Sequence, residues 1–251
     1  MKVSIITVCR NSEATIEAAI RSVFEQDYAD IEYIVIDGKS TDKTFPIIDK
    51  HRNKISKIIS EKDDGMYFAI NKGIKLAIGD IVGILNADDF YANEKIISLV
   101  VKEFNEKKSE SVYGNLQYVS PDNSRKIIRH WKSQPYNSKL FLKGWMPPHP
   151  TFFVKRNCYE QFGIFNTTFS ISADYELMLR FLYKHNITSS FIPEVLVKMR
   201  TGGISNVTFK SRVKANKEDR LAWKVNGLKP ARFTFIAKPL SKVTQFIKRG
   251  D

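Results

Sequence analysis

The chain has 251 residues, of which 43% are hydrophobic and 27% are charged, so it is long and apolar enough to form one substantial core and is not a disordered chain. Its formal net charge is +13, and the segment 206–251 holds twelve Lys or Arg against three acids, which predicts an anionic partner. Two cysteines exclude a disulfide framework, and no apolar run reaches about 18 residues, so we expect a protein of the reducing cytoplasm without a membrane span.

The first hundred residues alternate strand and helix patterns. Compact runs of Val, Ile and Thr predict buried strands, and apolar residues at helical spacing predict the helices between them. The predicted strands are Lys2–Cys9, Ile31–Asp37, Lys57–Ser60 and Asp80–Asn86, and the predicted helices are Glu13–Gln26, Thr41–His51, Met66–Ile78 (with Gly79 as its C-cap) and Asn93–Asn105. This alternation predicts an α/β fold with a mostly parallel central sheet and helices on both faces.

The second part of the chain is less regular. Short apolar runs predict strands at Ser111–Gly114, Leu116–Val119, Lys126–Trp131, Thr151–Val154, Ile187–Ile192 and Val195–Met199. Helical spacing predicts a short helix over Asn157–Phe162 and a strong one over Ala173–His185. In open α/β sheets ligands bind beyond the carboxyl ends of the strands, so the polar residues that follow each strand are the functional candidates.

Adjacent carboxylates follow the fourth predicted strand, in the run Asn86-Ala87-Asp88-Asp89. Carboxylates beside a buried strand are costly unless water or a cation reaches them, and their hard oxygen atoms suit Mg²⁺ or Mn²⁺. A metal at Asp88 and Asp89 would bridge a diphosphate and neutralise the charge on a leaving nucleotide. The alternative is a solvated turn in which one of the two acids caps the next helix.

Two other polar loops follow strands. Asp37-Gly38-Lys39-Ser40-Thr41-Asp42 ends the second strand, and an Asp there is able to accept a hydrogen bond from a base N–H or a ribose hydroxyl. The acid-rich loop Ser60–Tyr67, followed by Asn71-Lys72-Gly73, favours hydroxyl recognition over phosphate binding. For both loops the alternative is ordinary turn and helix-cap chemistry.

A further carboxylate opens the strong helix of the second part. Asp174 stands in Ser172-Ala173-Asp174-Tyr175-Glu176, where it is a candidate general base for an attacking hydroxyl group. Taken alone, this motif is explained as well by Asp174 capping the helix.

Taken together and in this order, these segments resemble family 2 glycosyltransferases with the GT-A fold, over about Met1–Met199. The resemblance is carried by the opening VSIITVCRNSEATIEAAIRSVFEQ, by the Asp37–Asp42 loop, by Glu61–Gly73, by Gly79-Asp80 with Asn86–Asp89, and by Ser172–Glu176 with Arg180. The order of the motifs makes the resemblance specific. The chain resembles most the bacterial branch of the family, which builds exopolysaccharide and O-antigen repeats.

The resemblance implies an inverting, metal-dependent transferase that moves a sugar from a nucleotide-sugar, with UDP as the expected nucleotide, to a glycan or lipid-linked acceptor. Asp88 would ligate Mn²⁺ or Mg²⁺ together with Asp89, and Asp174 would be the catalytic base. We expect a nucleotide-sugar-binding half (1–110), an acceptor-binding half with the base (111–205) and a basic amphipathic helical tail (206–251). The implied donor-binding residues are Thr7, Val8, Arg10, Asp37, Asp63, Asn71, Asn86, Ala87 and Asp88.

Two positions depart from the family pattern. Asn86 replaces the first Asp of the Asp-x-Asp motif, which removes one charge from the metal site, and Ala173 replaces the Glu that usually precedes the base. On the acceptor side, Trp145, His149 and Tyr175 are the candidates for stacking on a sugar or hydrogen bonding to it. Core packing remains an alternative for Trp145, and a structural role beside prolines remains one for His149.

The tail interleaves basic and aromatic residues, a composition typical of segments that lie on anionic lipid. We therefore expect a peripheral protein at the inner face of the cell membrane, with a solvated tail packed on the domain as the alternative. Nucleic acid is not expected, since no binding motif accompanies the charge. Rival functions are a nucleotidyltransferase, disfavoured by the lack of a Gly-rich phosphate loop after the first strand, and a non-catalytic binding module.

Overall fold

The structure is a computed structural model that describes residues 1–202, 209–232 and 234–235. Its strands are β1 (Val3–Cys9), β2 (Ile31–Asp37), β3 (Lys57–Ser60), β4 (Ile81–Ile84), β5 (Asp89–Tyr91), β6 (Ser111–Val119), β7 (Ile127–Trp131), β8 (Phe153–Lys155) and β9 (Ser189–Arg200). Its α-helices are α1 (Ile16–Phe24), α2 (Thr44–Lys50), α3 (Met66–Leu76), α4 (Ile96–Lys107), α5 (Lys139–Leu142), α6 (Arg156–Phe162), α7 (Ala173–Met178) and α8 (Phe209–Val225). Short 3-10 turns cover Arg52–Lys54 and His149–Thr151.

These strands form one sheet in the order β3-β2-β1-β4-β8-β6-β9-β5, with β7 paired to β6. β1 to β4 run parallel to one another, as the βα alternation of the sequence predicts. The second half adds antiparallel pairs of β8 with β4 and β6, and of β5 with β9. The predicted α/β class is confirmed as a mixed sheet whose first half is parallel.

Two apolar layers cover the sheet. Ile6 and Ile34 lie in the layer that includes α3, α6, α7 and α8. Ile5 and Val35 lie in the opposite layer, which includes α1 and α4. Successive residues of a strand point to opposite faces, so near-continuous apolar runs such as β1 are what a strand covered on both sides requires.

The second half differs from the prediction in its strands, since β6 and β9 are each one strand where the sequence predicts two. Pro193 lies within β9 and cannot donate to a strand ladder. The pairing passes from Gly114↔Ile192 to Asn115↔Val195, so Pro193 and Glu194 form a bulge and the strand continues beyond them.

The predicted helix starts are early by three residues at α1, α2 and α4, because the polar residues before them serve other loops. Asp42, for example, accepts hydrogen bonds from the backbone N–H groups of Thr44 and Glu13. Gly79 is not the predicted C-cap: α3 ends at Leu76, and a Cβ at Gly79 would lie 2.6 Å from the Ser4 hydroxyl oxygen. Gly79 is needed for this close approach of two backbones.

The predicted helix Ala173–His185 is α-helical only to Met178 and continues as a π-helical segment over Leu179–Lys184. The helical prediction for the tail is confirmed over Phe209–Val225, where Ala222 and Trp223 are buried against the domain. The tail residues 206–208, 233 and 236–251 lie outside the described residues. Among the described helices, none combines the length and the apolar character that crossing a bilayer requires.

Candidate functional site

The strand order creates a crevice between the ends of β1 and β4. β2 pairs with β1 along its whole length, to Cys9↔Asp37, whereas β4 pairs with β1 only as far as Ile6↔Ile84. The last residues of β1, Thr7–Cys9, therefore have a strand neighbour on one side only. The chain passes from β1 to β2 on one side, and it returns from β3 to β4 on the other side of β1. Such a switch point is where open α/β sheets bind ligands.

The residues predicted to bind the donor at β1 differ in exposure. The Thr7 and Val8 side chains are buried, and the Tyr33 hydroxyl donates to Thr7 Oγ1 over 3.0 Å, so these two residues offer only backbone to the crevice. Arg10 follows the strand end and is exposed beside Gly38, where a Cβ would lie 3.4 Å from Arg10 Cβ.

Asp37, at the end of β2, organises the neighbouring loops. It is fully buried, and its carboxylate accepts from the Ser40 hydroxyl and the Ser60 hydroxyl, each over 2.5 Å. Asn11, which adopts φ 50°, accepts at its side-chain oxygen from the Thr41 backbone N–H. Turn chemistry therefore accounts for Ser40 and Thr41, and a direct ligand contact of Asp37 stays a prediction.

The acid-rich loop after β3 contains a buried carboxylate that is only half satisfied. Lys72 on α3 donates to Asp63 Oδ1 over 2.7 Å and also pairs with Glu61. Asp63 Oδ2 is buried and has no hydrogen-bond partner among the described residues. A buried acceptor without a partner is costly, so this atom suits a ligand hydroxyl or N–H donor.

The turn after β4 separates its two carboxylates. Asp89 is fully buried on β5, and Asn86 Nδ2 donates to its Oδ2 over 3.1 Å. Burial, reinforced by the charge of Asp88, raises the pKa of Asp89 well above its ordinary value. Asp88 is part-exposed, and the Arg200 guanidinium donates to its backbone carbonyl over 2.9 Å.

This turn contains the residues that were predicted to bind a metal ion. No group of three His, Cys, Asp or Glu side chains able to hold an ion is found in the described part of the chain. The Asp88 carboxylate accepts no hydrogen bond from the described residues, although the charge of Arg200 acts on it. One free carboxylate fits a Mg²⁺ or Mn²⁺ ion that is bound chiefly by substrate phosphates and water. Asp89 is fully buried and its Oδ1 has no hydrogen-bond partner among the described residues, so its role as a second ligand stays a prediction.

One pocket joins the two halves of the sheet edge. It is open to solvent, and it is lined by residues of both halves. Asn86 contributes from the metal turn, Met66 and Tyr67 from the start of α3, and Asp174 from the start of α7. His149 lines the same pocket, and its Nδ1 lies 3.1 Å from Asp174 Oδ2.

The loop before Asp174 is held by side chains of the first half and of the tail helix α8. The Tyr67 hydroxyl donates to the Ile171 carbonyl over 2.8 Å, and its ring stacks on Phe165 at 5.6 Å. From the other side, α8 supplies the Glu218 carboxylate to the backbone N–H groups of Ile171 and Ser172. Asp174 itself is 19% exposed, so a ligand is able to reach it.

A model of the family described as "Glycosyl transferase family 2" matches residues 4–173, more than half of the chain. The chain belongs to glycosyl transferase family 2. Over 247 residues it is 27% identical to the UDP-Glc:alpha-D-GlcNAc-diphosphoundecaprenol beta-1,3-glucosyltransferase WfgD of Escherichia coli. The aligned residues make up 96% of this chain and 89% of that relative. The predicted family and enzyme class are confirmed.

Solved structures show the same architecture. S. aureus TarS 1-349 in complex with UDP superposes with a TM-score of 0.68 at 20% identity, over 88% of this chain and 65% of that one. The mannosyltransferase PcManGT from Pyrobaculum calidifontis, in complex with GDP-Man and Mn2+, gives a TM-score of 0.65 at 19% identity, over 98% of this chain and 71% of that one. The chain thus spans about two thirds of the TarS fragment, and these likenesses show a GT-A-like fold.

Two residues predicted to contact substrates in this family 2 glycosyltransferase form hydrogen bonds within the chain. Asn71 Nδ2 donates to the Phe165 carbonyl and Asn71 Oδ1 accepts from the Phe165 N–H, so Asn71 ties α3 to the second half, and its contact with the donor stays a prediction. Tyr175 is buried beside Phe141, its hydroxyl accepts from Trp223 Nε1, and its acceptor role stays a prediction. Trp145 is half-buried among aromatic rings, including Tyr136, and its acceptor role stays a prediction.

Sequence reasoning did not assign site roles to three residues of the family 2 glycosyltransferase. Tyr67 stands in the acid-rich loop Ser60–Tyr67, where its place at the start of a helix that follows a strand was the available signal. Arg200 and Glu218 had no such signal, because each acts on a segment at least 46 residues away in the chain. Ala87 is buried and has only its backbone to offer.

Proposed function

We propose that this family 2 glycosyltransferase moves a hexosyl group from a nucleotide-sugar to a hydroxyl group of a lipid-linked glycan, with inversion at the anomeric carbon. The observation that carries the proposal is a pocket lined both by Asn86 of the metal turn and by Asp174 of the second half. A transferase needs its donor diphosphate and its base at one site, because both act on the same anomeric carbon.

On the donor side, the nucleotide would occupy the crevice at the end of β1. Backbone groups of Thr7 and Val8 and the unpartnered oxygen of Asp63 are the groups that suit a base and a ribose. Arg10 is an exposed cation at the same strand end. The relative WfgD names UDP-Glc in its own reaction, which supports UDP as the first nucleotide to test.

The diphosphate would lie beside Asp88. Asp88 would hold the Mn²⁺ or Mg²⁺ ion, which supplies positive charge to the leaving diphosphate when it is bound. Asn86 keeps Asp89 in place through its hydrogen bond, and it makes the metal turn less negative than an Asp-x-Asp sequence. Arg200 adds a fixed cation within reach of the Asp88 carbonyl.

On the acceptor side, Asp174 would take the proton of the attacking hydroxyl group. The acceptor oxygen forms a bond to the anomeric carbon while the bond from that carbon to the diphosphate oxygen breaks, and the nucleoside diphosphate leaves with the bonding electrons. His149 would orient the Asp174 carboxylate or hold the acceptor, given its contact with Oδ2. A lipid-linked acceptor is suggested by the name of WfgD.

The donor site is tested by calorimetric titration with UDP and with GDP, with and without Mn²⁺. We expect one nucleotide to bind in a Mn²⁺-dependent way, and Asp88→Ala to weaken that binding by about tenfold or more, since a contact to a charged group is lost. Asp122→Ala, a change of an exposed acid in the turn between β6 and β7, is the matched control and should bind as the wild type does. Absence of binding of either nucleotide under all conditions would overturn the proposal.

We further propose that the outer face of α8 lies on anionic lipid. Val213, Leu221 and Val225 are exposed and follow one another along one stripe of the helix, with Lys217 and Lys224 exposed beside them. The opposite stripe, with Glu218 and Trp223, is buried against the domain. Packing on the domain and binding to lipid are therefore compatible for this helix, because one face packs on the domain and the other presents cations beside apolar side chains.

Sedimentation with vesicles tests this surface. We expect binding to vesicles that contain phosphatidylglycerol and little binding to pure phosphatidylcholine, since each basic residue near an anionic surface contributes about 1 kcal/mol. Replacement of Lys214, Lys217 and Lys224 by Gln should weaken binding by about tenfold or more. Ile78→Gln changes an exposed apolar residue on a distant loop and is the control. Equal binding of the triple variant and the control would overturn the membrane proposal.

A further inference from the structure

The carboxylate of Glu218 is an unusual feature of the basic tail helix. α8 is rich in Lys, yet Glu218 is buried, with 8% of its surface exposed. Both of its oxygen atoms accept hydrogen bonds from one short segment, Ser170–Ser172. A buried carboxylate is costly unless its acceptors are satisfied, so this arrangement is specific to that segment.

The contacts of Glu218 form a clamp on this segment, which we call the base loop (Ser170–Ser172). Oε1 accepts from the Ser170 N–H over 3.2 Å and from the Ser170 hydroxyl over 2.9 Å. Oε2 accepts from the Ile171 N–H over 2.9 Å and from the Ser172 N–H over 2.8 Å. Burial alone would raise the pKa of Glu218, but the hydrogen bonds from Ser172 and Ile171 hold it below its ordinary value.

The base loop leads directly into Asp174. Ser172 occupies the N-cap position of α7 without a side-chain capping bond, and Asp174 is the second residue of the helix. Glu218 accepts from the backbone N–H of this N-cap residue, as the Glu of a capping box does, but it does so from a helix 46 residues further along the chain. The backbone of Ile171 is held at both of its polar groups, because its N–H donates to Glu218 and its carbonyl oxygen accepts from the Tyr67 hydroxyl.

Two more contacts join α8 to α7 below this point. Trp223 Nε1 donates to the Tyr175 hydroxyl over 2.8 Å, and Asn226 Nδ2 donates to Glu176 Oε1 over 3.0 Å. Both contacts are buried, and they hold the body of α7. Glu218 differs from them because it holds the segment that sets where the first turn of α7, and hence Asp174, begins.

We infer that Glu218 is a positioning residue for Asp174, so that the tail helix sets the geometry of the base; this inference rests on the proposed function. In Glu218→Gln, the amide group of the new side chain faces backbone N–H donors and only one oxygen remains to accept. The base loop then loses part of its support while the residues of the donor crevice keep theirs. Misplacement of a catalytic group by about 1 Å costs about a hundredfold in rate.

Kinetics of sugar transfer and nucleotide titration test this role together. We expect Glu218→Gln to lower kcat by about 10- to 100-fold, with the donor KM and the affinity for UDP or GDP unchanged. Glu32→Gln is the matched control, because Glu32 is another buried carboxylate with three hydrogen bonds, located away from the pocket. A loss of kcat in the control equal to that in Glu218→Gln would mean that general destabilisation explains the effect, and would overturn the inference.

A double-mutant cycle separates positioning from a structural role. Because Glu218 acts through Asp174, Glu218→Gln should have little further effect on the residual rate of Asp174→Asn. Additive losses in the double variant would overturn the inference. Tyr175→Phe, which removes only the hydroxyl that accepts from Trp223, should cost less kcat than Glu218→Gln does.

Amide hydrogen exchange tests the clamp without reference to activity. The Ile171 and Ser172 N–H groups should be protected in the wild type, and their exchange should be about tenfold faster or more in Glu218→Gln, while peptides from β1 and β2 stay unchanged. Unchanged exchange at both positions would overturn the clamp itself. A folded wild type with a protected base loop but no transfer to any acceptor would instead overturn the proposed function, and the positioning role with it.

Discussion

The donor crevice and the base loop are held by different kinds of contact. In the donor half, the loops after β1 and β2 hold each other, since the Asn11 N–H donates to the Ser40 hydroxyl and the Thr41 N–H donates to the Asn11 side-chain oxygen. Among the described residues, the base loop shows no comparable internal hydrogen bond, and it is held by Tyr67 from α3 and by Glu218 and the Ala215 carbonyl of α8. The donor half is thus organised by neighbouring βα units, and the base by partners far away in the chain.

This difference fits the two tasks of the proposed enzyme. A nucleotide site benefits from loops that are rigid before the ligand arrives, since ordering them on binding would weaken affinity. A base needs accurate placement relative to two substrates, so its loop is fixed by contacts from both sides of the pocket. Variants in the two regions should therefore affect binding and turnover separately.

Asp174→Asn is expected to have the largest effect. The variant keeps the size of the side chain but cannot take up a proton, and general base catalysis contributes about 100- to 10,000-fold to a rate. We expect kcat for sugar transfer to fall within that range while nucleotide affinity stays the same, as measured by a transfer assay and by titration. Asp122→Asn is the control. Full activity in a folded Asp174→Asn protein would disprove the mechanism.

Glu32→Gln should change stability and leave turnover unaffected. Glu32 on β2 accepts from the Ser4 hydroxyl, the Lys57 ammonium and the Ile78 N–H. Burial acts to raise its pKa, but these donors, with Ile78 first, hold the pKa below its ordinary value. A group whose folded pKa is depressed stabilises the protein above its unfolded pKa, and the contribution is lost as the pH falls through the folded pKa.

We therefore expect Glu32→Gln to lower the free energy of unfolding by about 1–3 kcal/mol at neutral pH, because buried donors lose a charged acceptor. The difference from the wild type should shrink as the pH falls below about 4, where the wild-type carboxylate becomes protonated. Urea unfolding at several pH values measures it. A difference that does not depend on pH would show that the charge of Glu32 is not the cause.

The sequence was informative where structure is local. The alternation of apolar runs predicted β1 to β4, because each of these strands is a short apolar run of its own, although β4 pairs with β1 and not with β3. It did not predict that Asp89 is buried or that Asn71 binds Phe165, since an Asp or Asn in a polar motif reads the same whether it faces a ligand or another loop.

The second half was harder to predict because its elements depend on contacts between segments that are distant in the chain. β9 looked like two strands because a bulge at Pro193 is stable only when β6 is present to pair on both sides of it. Glu218 looked like one acid in a basic helix, and its role appears only when α8 is placed against the base loop. Contacts between segments distant in the chain decide both cases, and no short motif encodes them.

His149→Ala is expected to lower kcat less than Asp174→Asn does, and it distinguishes two possible roles of His149 on the acceptor side. His149 Nδ1 lies 3.1 Å from Asp174 Oδ2, and His149 is the more exposed of the two side chains. A hydrogen bond to a charged group contributes about 1.5 kcal/mol, so its loss should lower kcat by about tenfold if His149 orients the base. If His149 instead holds the acceptor, the acceptor KM should rise while kcat changes little.

His149→Gln separates these two roles, because its side-chain amide is able to donate to Asp174 where alanine cannot. Recovery of kcat in His149→Gln relative to His149→Ala would support orientation of the base. His185→Ala, which removes a ring stacked on Phe162 outside the pocket, controls for the loss of an imidazole. Wild-type kcat and KM in His149→Ala would show that the contact with Asp174 serves neither role, and would leave Tyr67 and Glu218 as the supports of the base.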